Sequence, residues 1–129
     1  MRINGACHCG QISFAAEIDP ARVVVCHCAD CQVLSGAPFR TVAEAPIGTF
    51  NICGSPKNYV FTQHGIEMAQ AFCPKCGTPL YAIAQENPTS VIIRLGCVEQ
   101  RAHLKPSIQI WQSSALPWLA GLATVPASS

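Results

Sequence analysis

Cys73-Pro74-Lys75-Cys76-Gly77 reads as a metal knuckle. A Cys-x-x-Cys-Gly turn points both thiolates at one ion, and the glycine permits the tight backbone. Two further clusters stand upstream, Cys7-His8-Cys9-Gly10 and Cys26-His27-Cys28-Ala29-Asp30-Cys31. Seven of the nine cysteines fall in these three clusters, leaving Cys53 and Cys97 alone. In an extended Cys-x-Cys segment the two sulfurs lie on one side and the middle residue faces away. That geometry disfavours His8 and His27 as ligands and predicts packing or surface roles for both.

Zinc takes four tetrahedral ligands, and thiolates suit it. Seven thiolates cannot fill two such sites without sharing, so they divide as four plus three. Two Cys pairs can close one structural site, while Cys26, Cys28 and Cys31 offer three ligands from one short loop. A site with three protein ligands keeps its fourth position open for a catalytic or bound group. Other uses of these residues remain open at this level. All seven can serve purely structural metal, with Cys53 or Cys97 closing the second site. The Cys-x-Cys-x-x-Cys run can be a redox site, or thiolates can hold an iron–sulfur cluster. Cys53 and Cys97, taken alone, read as buried small hydrophobes.

The rest of the chain narrows the class. At 129 residues it has the size of one domain, and half of its residues are apolar, enough for one core. Only 12% are charged, which argues against disorder and coiled coils. Net charge is +1 and the pI about 7.6, without the basic face of a nucleic-acid binder. The N-terminus has no apolar signal region, and no run approaches the roughly 18 apolar residues that span a bilayer. The expected compartment is therefore the cytosol, where clustered cysteines are ligands or redox groups rather than disulfides.

Strand signals dominate. Ile12, Phe14 and Ala16 alternate, Val23 to Val25 and Val91 to Leu95 are apolar runs, and Tyr59/Phe61, Leu80/Ile83 and Ile108/Ile110 alternate more briefly. Turn signals separate them, including Gly36 to Pro38 and Gly77 to Pro79. Short helical turns are predicted after Cys28 and within Leu116 to Leu122. The prediction is a mostly β single domain over residues 1–129, with a frayed tail from about 120. The tail from 106 carries no charged residue or histidine. Trp118, Leu119 and Leu122 make it a candidate homodimer contact.

Three segments together resemble a known family: Gly5 to Phe14, Cys26 to Phe39 with its Ser35-Gly36-Ala37-Pro38 loop, and Phe72 to Tyr81. They are similar to the glutathione-dependent formaldehyde-activating enzyme (Gfa) and centromere protein V family, and Lys105 to Trp111 and Leu116 to Trp118 are similar to its C-terminal pattern. The resemblance implies a β-tent fold of small coiled antiparallel sheets with two zinc ions. It implies that Cys7, Cys9, Cys73 and Cys76 hold the structural zinc and that Cys26, Cys28 and Cys31 hold an open, catalytic one. It implies a carbon–sulfur lyase that condenses glutathione with formaldehyde to S-hydroxymethylglutathione. The chain departs from the family pattern at Gly96-Cys97-Val98-Glu99, where members carry a small hydroxyl residue in the second position.

The expected partners are a small thiol and an aldehyde, not nucleic acid or membrane. A metal that makes the thiolate removes the need for a strong base. Asp30, inside the cysteine loop, reads as a turn residue or a proton relay. His64 and His103 read as solvated. Arg40, with Ser35, Gly36 and Phe39, is the expected thiol pocket, Arg40 taking a substrate carboxylate; Arg94 and Lys57 are weaker choices. Two other functions compete. One is a zinc-stabilised module that binds a thiol or a protein without turnover. The other is a methionine sulfoxide reductase with Cys97 as nucleophile.

Overall fold

The computed structural model describes residues 1–129. Ten strands form two sheets. The smaller has three antiparallel strands, β1 (Arg2–Ala6), β2 (Ser13–Glu17) and β5 (Asn51–Cys53), in the order β1-β2-β5. The larger contains β3 (Val23–Cys26), β4 (Arg40–Pro46), β6 (Lys57–Gln63), β7 (Ile66–Phe72), β8 (Pro79–Ala84), β9 (Ser90–Arg94) and β10 (Ile108–Ile110). Its order is β10-β3-β4-β9-β8-β7-β6, antiparallel except that β10 runs parallel to β3. One short helix, α1 (Ala29–Ser35), follows Cys28, as predicted, and takes in Cys31. The tail forms a 3-10 helix over Leu119–Thr124 that leaves Trp118 and Leu122 exposed.

The mostly β expectation holds, and every alternating segment named above lies in or beside a strand. Four strands gave no such signal. β7 reads Ile-Glu-Met-Ala-Gln-Ala-Phe and β4 reads Arg-Thr-Val-Ala-Glu-Ala-Pro. Ala, Glu, Met and Gln are helix formers, so local preference points the wrong way. Packing overrides it: Ala43, Ala45, Ala69 and Ala71 are all buried.

The core lies between the small sheet and one face of the large one. Ile3, Ile12, Phe14 and Ala16 meet Val23, Ala43, Val91, Ile93 and Leu95 there. Successive strand side chains alternate in direction. The paired residues Cys26 and Arg40, and Val42 and Arg94, therefore project from the opposite face of the large sheet. That face carries the second cysteine cluster.

Gly5 shows how tightly the small sheet closes. It pairs with Phe14, and a Cβ there would sit 2.2 Å from the Phe14 ring. The ring also packs on Phe50 at 5.6 Å. Gly5→Ala is expected to cost about 1–3 kcal/mol through overpacking, read as a lower midpoint in urea. An unchanged midpoint would show that the ring moves freely.

Candidate functional site

The first and third clusters meet across the molecule. Cys7, Cys9, Cys73 and Cys76 bring four sulfurs within 4.8 Å of one another. Cys7 Sγ lies 3.6 Å from Cys9 Sγ, which lies 3.7 Å from Cys73 Sγ. A tetrahedron with zinc–sulfur bonds of about 2.3 Å has edges of about 3.8 Å. The four sulfurs are thus already spaced for one zinc ion. Two turns build the set. Gly77, at φ 77°, donates its N–H to the Cys73 carbonyl at 2.8 Å. Gly10 donates to the Cys7 carbonyl at 3.0 Å. Cys7-His8-Cys9 is therefore a turn, not the extended segment assumed from sequence, although its sulfurs still converge.

Thr78 ties the two turns together. Its hydroxyl accepts the His8 N–H at 3.0 Å and lies 3.1 Å from Cys76 Sγ. Hydrogen bonds from the Thr78 hydroxyl, and from the Thr78 and Cys9 backbones, pull the Cys76 thiol down to about 5. The thiolate is the form that binds metal. His8 is exposed, while its neighbours' sulfurs turn inward.

The second cluster stands alone. Cys26, Cys28 and Cys31 are buried, their sulfurs lie within 4.8 Å of one another, and no fourth His, Cys, Asp or Glu joins them. Cys26 ends β3, Cys28 is the N-cap of α1, and Cys31 lies in its first turn. The Cys31 N–H donates to Cys28 Sγ at 3.3 Å. Burial raises the Cys28 thiol, but this bond and the adjacent thiols outweigh it and bring it below its ordinary value. Burial, reinforced by Cys26, pushes Cys31 up to about 12. Three clustered thiols that cannot all ionise alone are a set that a divalent cation completes.

His27 is no ligand. It is buried, bonds Gln109 Oε1 through Nε2 at 2.7 Å, and meets the Phe39 ring edge-on. Asp30 is exposed in the first turn of α1.

Two surface depressions flank this region. The larger, about 680 Å³, is floored by Val24, Val42 and Ile92 and contains no cysteine. The smaller, about 550 Å³, is lined by Ser35, Arg40, Thr78, Arg94, Cys97 and Arg101, among others. It spans from the α1–β4 segment to Thr78 of the four-cysteine set, so it is the pocket with chemistry beside it. Arg40, Ser35 and Phe39 line it as expected from sequence. Gly36 does not. It is the C-cap of α1, at φ 64°, and its N–H bonds Gln32 and Val33 carbonyls. Lys57 lies exposed at the start of β6, away from the pocket, and His103 is exposed.

Arg94 belongs there more firmly than its sequence suggests. It is buried and donates through Nη2 to Gln70 Oε1. Burial, with the nearby Arg40 cation, pushes it down to about 9, so it remains a cation at neutral pH. Gln70 and Arg101 were invisible as site residues because a lone Gln or Arg carries no spacing signal.

The tip of the β6–β7 hairpin closes over the second cluster. Gln63 Nε2 reaches Cys28 Sγ at 3.9 Å, and His64 stacks on Trp111, centroids 4.5 Å apart and planes 9° off parallel. His64 and Trp111 follow the two edge strands of the large sheet, so that sheet coils until its edges meet. Both residues are left-handed, at φ 51° and 55°. That conformation is rare for bulky side chains. His64, expected to be solvated, is exposed but packed on an aromatic face.

The two lone cysteines differ. Cys53 is exposed on β5, which corrects the expectation that it is buried. Cys97 is half-buried, donates to the Arg94 carbonyl at 3.2 Å, and is pushed up to about 11 by burial. Only on the order of 0.1% of Cys97 is thiolate at pH 8, and the thiolate is the reactive form. In metal-loaded protein, iodoacetamide at pH 8 is expected to label Cys53 at least about tenfold faster than Cys97. Cys97 labelling should quicken about tenfold per pH unit from 8 to 10, since ionisation is still below its midpoint. Equal labelling at pH 8, read by peptide mass, would contradict this.

A coiled β domain of this kind offers two sets of thiols, one of four and one of three, each of which could hold a metal ion. The family model of the glutathione-dependent formaldehyde-activating enzyme matches residues 2–114, and the chain belongs to that family. No curated protein matches the sequence. Among solved structures, a crystal structure of a Rhodobacter sphaeroides protein is similar at a TM-score of 0.64 and 20% identity, covering 82% of this chain and 98% of that one. That likeness concerns the fold. No helix is long and apolar enough to cross a membrane.

Proposed function

We propose that this chain is a zinc-dependent carbon–sulfur lyase that joins a small thiol, glutathione in the first instance, to formaldehyde or a similar aldehyde. Zinc is assigned to both cysteine sets, two ions per chain, with Cys7, Cys9, Cys73 and Cys76 structural and Cys26, Cys28 and Cys31 catalytic. One observation carries this reading: three buried thiols converge, no fourth protein ligand completes them, and Arg40, the cross-strand partner of Cys26, lines a pocket with two further arginines. Family membership supports the same chemistry.

Cys26, Cys28 and Cys31 would hold a zinc ion, which would supply the Lewis acidity that makes a bound thiol acidic at neutral pH. Cys26, Cys28 and Cys31 hold that acidity at one fixed point. Arg40, Ser35 and Arg101 line the pocket in which the thiol's carboxylates and backbone would lie, with the exposed Arg101 offering the guanidinium fork. Gly36 acts indirectly, by ending α1 so that Ser35 and Arg40 face one pocket. Gln63 and the His64–Trp111 stack shield the cysteine loop from bulk water. In the reaction the thiolate sulfur bonds to the aldehyde carbon. The carbonyl π pair moves to oxygen, which takes a proton and becomes the hydroxyl of the adduct. Reversal breaks the same carbon–sulfur bond.

An odd count of nine cysteines, seven of them in ligand-spaced clusters, suits a reducing compartment such as the cytosol. The pocket takes a small molecule rather than nucleic acid, and the exposed Trp118 and Leu122 remain a candidate contact between two copies. The test is glutathione-dependent consumption of formaldehyde above the solution rate by zinc-loaded protein. Glutathione binding without any acceleration would favour the second reading, a thiol-binding module. A reductase using Cys97 is not favoured, since that thiol is half-buried and held protonated.

A further inference from the structure

Arg40 and Arg94 are more than nine-tenths buried, and neither faces an acid. The only ion pair in the chain joins the N-terminal amine to Glu17. Arg40 Nε has no hydrogen-bond partner, and Arg94 meets only the neutral amide of Gln70. Buried charges without counter-charge cost several kcal/mol each, and apart from the water of the pocket that both line, two guanidiniums call for a negative partner. Geometry identifies it. Arg40 is the cross-strand partner of Cys26, and Arg94 projects from the same face through its pairing with Val42.

The charges can be counted. A divalent ion on three thiolates carries −1. A neutral fourth ligand leaves −1, whereas a thiolate makes −2, which two guanidiniums match. The four-cysteine set has the same total charge but a different answer. Cys9 is exposed and Cys76 half-exposed to water, and Cys7 and Cys76 accept hydrogen bonds from the Ile12 N–H and Thr78 hydroxyl. The three-cysteine set is buried, receives the Cys31 N–H and the Gln63 amide on Cys28, and in addition shares its face of the sheet with two cations.

We propose that Arg40 and Arg94 are paired positioning residues whose uncompensated positive charge makes the three-cysteine site select an anionic sulfur ligand over a neutral one. The proposal rests on the reading of that site as one that accepts an external thiol, but it requires no turnover. It concerns the charge of the reacting sulfur, not recognition of a substrate's carboxylates.

The test uses cobalt(II)-loaded full-length protein and 2-mercaptoethanol, whose tail is uncharged. Binding is read from the sulfur-to-cobalt charge-transfer absorbance, and imidazole is titrated separately as a neutral ligand. Arg40→Gln and Arg94→Gln are each expected to weaken thiol binding about tenfold while changing imidazole binding less than about twofold. Arg94→Lys and Arg40→Lys, which keep the charge, should restore most of the thiol affinity. The cobalt spectrum of the four-cysteine set and the circular dichroism report whether each variant folds. If one glutamine variant does not fold, the other and the two lysine variants carry the test. Variants that bind thiol like the wild type, or that lose thiol and imidazole in parallel, would overturn the proposal alone. A wild-type protein that binds no thiol would overturn both it and the reading of an open site.

Discussion

A Cys73→Ser chain is expected to lose metal from the four-cysteine set and most of its folded population at 37 °C. Cys73 is fully buried and belongs to the main core together with Cys7. Serine there is a poor metal ligand and places an unpaired hydroxyl among apolar side chains. The larger loss is the metal itself. Structural zinc contributes roughly 10–16 kcal/mol in small zinc peptides, against a total stability of about 5–15 kcal/mol for a domain. The cysteine pairs also join distant parts of the chain, β1 to the β7–β8 turn, so removing the ion releases both ends. Thermal melting with metal analysis checks this. A cooperative melt within a few degrees of the wild type, with the ion absent, would show that the set is dispensable.

Cys28→Ser should behave in the opposite way, leaving the fold and removing the chemistry. Cys28 belongs to a separate buried cluster of three cysteines, not to the main core. Serine can still cap α1, since Ser is a favoured N-cap residue. The site would keep two thiols, too few to hold the ion firmly. A free thiol is only a few per cent ionised at neutral pH, and a coordinated one is fully so. Adding the loss of orientation, glutathione-dependent aldehyde consumption should fall at least about 100-fold. The melt and the four-cysteine metal content should stay near wild type. Retained activity at a tenth of wild type or more would place the chemistry elsewhere, and a collapse of the melt would show that the two sets are not independent.

Much of this was legible in the residues, for a physical reason. Metal ligation is a spacing rule, so Cys73-x-x-Cys76-Gly77 and the Cys26–Cys31 run announce themselves without any knowledge of the fold. Apolar alternation likewise marks β2, and β-branched runs mark β3 and β9. What escaped was set by tertiary context. β7 is built of helix-forming residues and becomes a strand because its alanines fit between packed neighbours. Cys53 looked like a core thiol and lies in the open on β5. Gly36 stands in the predicted pocket loop but serves the helix end, because its left-handed backbone is what α1 needs. The convergence of Arg94, Gln70 and Arg101 depends on strand register, and the His64–Trp111 stack on how far the sheet coils. Neither leaves a mark in linear sequence.

The central claim is the division of seven cysteines into a closed four and an open three. Native mass spectrometry of protein purified without chelator and with zinc present, with and without glutathione, tests it most directly. Two zinc ions per chain and one glutathione adduct are expected, with the adduct absent and one zinc retained in Cys28→Ser. Two zinc ions with no adduct at saturating glutathione, or a single ion after zinc add-back, would contradict it.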